Sequence, residues 1–193
     1  MSNLDISKSL EMAGVDKGDT VMMHADAGVA AQINFHNSDN LQNLINEIIK
    51  YFNKGTLVVP TFTYSITENE IFDKNKSPSK VGLFSEKFMF TKGVKRNNHP
   101  MFSVGLIGKH TSEYINSNNK DCFGEDTSFD LLMKHNGKII CLGCDFSRVT
   151  FVHYVEQKKN VPYRFIKKLK GKILENGKVK NIQTSFYARK LKE

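Results

Sequence analysis

Residues 147–156 read S-R-V-T-F-V-H-Y-V-E. His153 and Glu156 are three apart, the spacing that puts two side chains on one face of a helix. An imidazole beside a carboxylate is the pairing needed to accept a proton near neutral pH and to hold the ring that accepts it. Thr150 is a good N-cap residue, which predicts His153 in the first helical turn, where the helix end disfavours the imidazolium. The bland alternative is a surface histidine beside a surface glutamate.

A second polar group lies in K-R-N-N-H-P-M-F-S, residues 95–103. Arg96, His99 and Ser103 precede an apolar run, and Pro100 restricts the backbone between them. Such a loop offers guanidinium and hydroxyl donors to a phosphate. The alternative is a solvated turn ahead of a strand. Thr61 and Thr63 close the apolar run T-L-V-V-P. His24 and Asp26 follow T-V-M-M, and Asp145 follows K-I-I-C-L-G. Ligands of parallel sheets sit beyond the carboxyl ends of strands, so three polar strand ends at one edge point to a site there. Cys141 and Cys144 are spaced as C-x-x-C, but Cys122 and His153 do not complete a recognisable four-ligand zinc pattern. Cys141 falls in an apolar strand and reads as a buried, inert thiol. No metal is expected.

The elements that must position these residues follow from periodicity. Residues 20–24, 56–60 and 138–143 are short apolar strands; residues 101–108 read as a strand with two glycines. Apolar residues at 41, 44, 45, 48, 49 and 52 have helical spacing, with Ser38 or Asp39 as the cap. Residues 84–90, 127–135 and 150–158 are shorter helices. Residues 64–80 read as a long loop. Two alternating runs around Glu175-Asn176-Gly177 signal a hairpin. The fold class is α/β: a three-layer α/β/α domain with a mostly parallel or mixed sheet and a C-terminal antiparallel hairpin.

Composition narrows the function classes. The chain has 193 residues, 39% of them apolar, with 14 Phe and no Trp. One domain is expected, a body of residues 1–156 and a basic segment of residues 157–193. The tail holds 12 Lys+Arg and 2 Asp+Glu, a net +10; of the totals of 28 and 20, the body keeps 16 and 18, a net −2. A near-neutral body with a basic tail is not a basic protein. The tail lacks interleaved aromatics for stacking bases, and hairpin alternation accounts for its lysines, so no nucleic-acid partner is expected. No long apolar run and no leader pattern occur, which predicts no membrane partner and a cytoplasmic location.

In order, the chain reads G-D-T-V-M-M-H, G-T-L-V-V-P-T-F-T, F-D, P-S-x-x-G-x-x-S-E, R-x-x-H-P-x-x-S, F-G-E-D-T-S, G-K-I-I-C-L-G and T-F-V-H-Y-V-E. This series, from about Gly18 to Arg164, resembles the aminoglycoside 3-N-acetyltransferase family, the coenzyme A-dependent one outside the GNAT fold. The resemblance implies acetyl-CoA as cosubstrate and an amine, on an aminoglycoside or amino sugar, as acceptor. It implies His153 as base, Glu156 as its partner and Thr150 beside the thioester. It places His24, Thr61, Thr63, Arg96, His99 and Ser103 along the coenzyme, and it is compatible with a homodimer. Members usually have a serine two residues after the first-strand histidine; Asp26 stands there instead. The end at Glu193 is shorter than usual for the family. A nucleotide-linked amino sugar remains an alternative acceptor, and a non-catalytic or polyanion-binding module using the basic tail is the alternative of another class.

Overall fold

The computed structural model describes residues 4–33 and 39–190. Its central sheet has five strands: β1 (Thr20–Ala25), β2 (Thr56–Pro60), β4 (Lys95–Arg96), β5 (Val104–Gly108) and β6 (Lys138–Leu142). Their order is β4-β5-β2-β1-β6. β1 runs parallel to β2 and to β6, whereas β5 is antiparallel to β2 and β4. The carboxyl ends of β1, β2 and β6 therefore share one edge. Val21, Met22, Leu57 and Val58 are fully buried, as continuous apolar strands covered on both faces must be.

Among the described residues, six α-helices dress the sheet: α1 (Ile6–Met12), α2 (Asn40–Tyr51), α3 (Leu83–Met89), α4 (Thr111–Ile115), α5 (Ser128–Lys134) and α6 (Val152–Lys158). α2 buries Leu44, Ile45, Ile48 and Tyr51 on one stripe. Asp39 caps it by accepting from the Gln42 N–H at 3.0 Å; Ser38, the other expected cap, lies outside the described residues. One core lies between α1, α2, α3 and the sheet, and a second, rich in phenylalanine, on the other face. This is the layered architecture expected. None of the described helices is long and apolar enough to cross a membrane.

Three expectations about elements are corrected. The run read as a strand from Met101 starts only at Val104. The N–H groups of Met101 and Phe102 instead donate to His99 Nδ1, at 3.2 and 2.9 Å, which makes a turn of residues 100–103. The loop of residues 64–80 contains a short strand, β3 (Ile71–Phe72), paired with β7 (Arg164–Glu175). α6 begins after Phe151, whose φ of −55° and ψ of −24° are already helical, so Thr150 is a turn residue and not the cap. β7 and β8 (Lys178–Arg189) form the hairpin over twelve pairs. Asn176 and Gly177, with φ of 51° and 72°, make the tight turn whose twist suits a hairpin.

Candidate active site

A cavity of about 790 Å³ opens at the carboxyl ends of β1, β2 and β6. His24, Asp26, Pro60, Gly143, Cys144 and Asp145 bring those strand ends to its wall, and Phe62, Tyr64 and the 80–85 segment close another side. The turn from Ser147 to Thr150 completes it. Asp26 and Asp145 each start a short 3-10 helix by accepting a backbone N–H, from Gly28 at 2.7 Å and from Ser147 at 2.8 Å. The two carboxylates are thereby fixed at the lip. Hydrogen bonds from the Ser147 side chain and backbone hold Asp145 below the usual carboxylate range. The lip also carries two cations, Lys80, which is engaged by Glu68, and Arg148, whose charge acts on Asp145.

His24 is the last buried residue of β1, at 8% exposure. Burial pushes its pKa down to about 4, so the ring is neutral. Its Nε2 is buried with no hydrogen-bond partner. A buried imidazole nitrogen without a partner costs free energy that a ligand atom at that place would recover.

Beyond Thr150, on α6, lies the His153 group. His153 Nδ1 is 2.8 Å from Glu156 Oε2. A guanidinium nitrogen of Arg164 is 2.8 Å from the same oxygen and 3.0 Å from His153 Nδ1. The Tyr163 hydroxyl donates to Glu156 Oε1 at 2.9 Å. The two contacts ask opposite things of Nδ1: a carboxylate only accepts and calls for Nδ1–H, whereas a guanidinium only donates and calls for a bare nitrogen. The carboxylate contact is the shorter, and the Arg164 nitrogen already has Glu156 Oε2 as its acceptor, so we assign the proton to Nδ1. Arg164 and His153 then donate to one shared oxygen, and the Nε2 lone pair is left free. Phe123 packs against the ring at 5.5 Å. Burial raises the pKa of Glu156, but the hydrogen bonds from His153 and Tyr163 and the charge of Arg164 outweigh it, and the group sits below the usual range. Thr150 is on the cavity wall; His153 and Glu156 are not among its lining residues but stand in the next turn.

The remaining residues singled out from the sequence form a buried frame behind the cavity. Pro60, Phe62 and Tyr64 face the cavity, and the alternation of an extended chain turns Thr61 and Thr63 away. Arg96, at 5% exposure, donates through Nε to Thr61 Oγ1 and to Ser103 Oγ, both at 3.1 Å. Its two terminal nitrogens reach the carbonyls of Ser77 and Thr61. Ser103 and Thr61 bond each other's carbonyls at 2.7 and 3.1 Å. His99 Nδ1 accepts the two N–H groups of the turn, so Nε2 carries the proton and donates to the Asp121 carbonyl at 3.2 Å. Burial pushes His99 down to about 4. Thr63 donates to the Pro100 carbonyl at 3.1 Å. None of these five residues lines the cavity.

All three cysteines are free thiols. Cys141 is half-buried rather than buried, because β6 is the sheet's edge strand. Arg164 and Tyr163 were missed in the sequence. They sit at the start of the basic hairpin, and only the fold brings them onto Glu156.

Residues 22–190 match the family model described as aminoglycoside 3-N-acetyltransferase. A relative from Bacillus subtilis (strain 168), the SPbeta prophage-derived aminoglycoside N(3')-acetyltransferase-like protein YokD, is 24% identical over 196 residues, covering 90% of this chain and 70% of the relative. The crystal structure of YokD superposes with a TM-score of 0.80 at 23% identity, over 95% of this chain and 74% of YokD. AAC-IIIb in binary complex with CoASH gives 0.81 at 18% identity, over 94% and 74%. AAC-VIa bound to sisomicin gives 0.83 at 20% identity, over 97% and 77%. The likeness to these structures is one of fold.

Proposed function

The chain belongs to the aminoglycoside 3-N-acetyltransferase family of acyltransferases, and on that premise we propose that it transfers an acetyl group from acetyl-CoA to an amino group of an aminoglycoside. The observation that carries the reading is the His153–Glu156–Arg164 group, with a free Nε2, one helical turn from the cavity wall at Thr150. A free amino group is mostly protonated near neutral pH and does not attack until it loses a proton. The neutral amine, its extra proton already lost to solvent, is the attacking species. Its nitrogen bonds to the thioester carbonyl carbon as His153 Nε2 takes the proton that this nitrogen must shed, the carbon–sulfur bond breaks, and the leaving thiolate receives the proton held by His153. Glu156 balances the imidazolium in between, and Thr150 supplies a hydroxyl to the carbonyl oxygen as charge develops there.

The two carboxylates at the lip, Asp26 and Asp145, support a polycationic acceptor. They disfavour an anionic, nucleotide-linked amino sugar. The AAC-IIIb complex with CoASH supports acetyl-CoA as the donor. Among the residues assigned to the coenzyme by resemblance, His24 is the one on the wall, and its unpartnered Nε2 suits a ligand hydrogen bond. For Arg96, Thr61, Thr63, His99 and Ser103 we propose a framework role.

The test is release of free thiol from acetyl-CoA with a panel of amines. Aminoglycosides should be turned over, and turnover should fall in His153→Ala. Turnover of nucleotide amino sugars alone, or coenzyme binding without turnover of any amine, would refute the reading.

A further inference from the structure

At the opposite end of the sheet, β5 returns to the start of β2 and leads into α4. His110 stands there, and its backbone is clamped: its N–H donates to Thr56 Oγ1 at 2.9 Å, and the neighbouring Lys109 N–H donates to the Gly55 carbonyl at 2.9 Å. Glu113 follows one turn later. His135 arrives from the end of α5, with Tyr114 stacked on its ring at 6.1 Å and 26°. The three side chains bring one ligand atom each within 4.8 Å of one another.

The contacts inside this group are unequal. His110 Nδ1 is hydrogen-bonded to Glu113 Oε1 at 2.8 Å. His135 Nε2 is 3.0 Å from Glu113 Oε2, yet it is buried and makes no hydrogen bond. The carboxylate oxygen is close enough but off the required line. One imidazole nitrogen thus sits sealed beside a carboxylate without a bond, which is costly unless another group satisfies it.

We propose that His110, Glu113 and His135 form a binding site for a borderline divalent cation, zinc foremost. Two imidazoles and a carboxylate are the donor set that such ions prefer over calcium or magnesium. Ligand bonds of about 2.0–2.1 Å in a tetrahedron set donor atoms roughly 3.4 Å apart. The present 2.8 and 3.0 Å contacts open by about half an ångström to admit the ion. The two rings are stacked at 3.9 Å and 29°, so their lone pairs do not yet converge. In the metal-bound form the His110 ring turns about its Cβ–Cγ bond, while His135 stays pinned by Tyr114. A solvent molecule takes the fourth position, on the side where Glu113 is half-exposed. The ion ties α4 to α5, remote from the cavity, and so acts on stability rather than on the transfer reaction.

The experiment is zinc titration of the chelator-stripped full chain by calorimetry, repeated with cobalt to read coordination from its visible spectrum. One equivalent per chain is expected, with a thermal midpoint raised on the order of 5 °C at saturating metal. Glu113→Gln should weaken binding at least tenfold and His135→Ala should abolish the equivalent. Glu113 is half-exposed, so its variant retains the fold, which circular dichroism without metal checks. Absence of saturable binding overturns the proposal. So does an equivalent that survives both substitutions, because the ion would then sit elsewhere.

Discussion

Replacing Arg96 with alanine removes a buried cation whose three nitrogens are all engaged. Thr61 Oγ1 and Ser103 Oγ lose the Nε bond, and the carbonyls of Ser77, Lys74 and Thr61 lose the terminal nitrogens. Thr61 retains the Ser103 hydroxyl on its carbonyl, so that loss is small. The other acceptors are left short at about 1 kcal/mol each, the low end for partly buried groups. The guanidinium also lies over the Phe72 ring at 5.2 Å, a contact of roughly another 1 kcal/mol. Against this stands the desolvation of the charge, which burial makes large enough to push Arg96 down to about 10. The net loss is on the order of 3 kcal/mol, or about 6–12 °C in Tm for a chain of this size. Arg96→Lys keeps the charge but not the fork, and should recover less than half. Urea unfolding measures both. The coenzyme contact that the family resemblance implies makes a different forecast: a raised KM for acetyl-CoA ahead of any change in affinity for the amine. A loss below about 1 kcal/mol, together with that KM effect, would refute the framework assignment and restore the coenzyme contact.

Three further outcomes follow from the site. His153→Ala should lower kcat by roughly 10²- to 10⁴-fold; Glu156→Gln should cost less, and the double variant should be non-additive in steady-state assays, because both act on one step. Arg164→Gln removes a charge held 2.8 Å from Glu156; it should lower kcat with little change in KM for acetyl-CoA, whereas a purely structural role would show as a lowered Tm at unchanged kcat. His99 is pushed from 6.5 to about 4, so its unfolded form binds the proton first. Its stabilising contribution is complete above pH 6.5 and is lost as the pH falls towards 4, by on the order of 3 kcal/mol. His24 is pushed down to about 4 in the same way, so denaturant midpoints between pH 7 and 4.5 should show both losses, and His99→Gln should remove about half of the slope; an unchanged slope in the variant would exclude His99 as a titrating group.

The parts legible in the sequence are those whose signal is local. The runs at residues 20–24, 56–60 and 138–143 are too apolar and too short for surface helices, and their polar ends meet at the cavity because parallel strands end on one side. The i+3 spacing of His153 and Glu156 is equally local. What was not legible depends on which way a side chain faces. Arg96, His99 and Ser103 have the residue types of a phosphate loop, and the same donors are the ones a buried turn needs to satisfy its own backbone. Phe62 and Tyr64 occupy the cavity side of the segment, and the alternation of an extended chain puts Thr61 and Thr63, with Arg96 behind them, on the inner side. The Arg164 contact is less accessible still. It forms because the hairpin leaves α6 after a short turn and runs back past it, which sets a guanidinium from an apparently solvated basic tail against Glu156. That tail carries a net +10 against the whole chain's +8, yet one of its arginines is buried, at 9% exposure, against Glu156. Its cation shares Glu156 Oε2 with the His153 ring and is one of the groups that hold Glu156 below the usual carboxylate range.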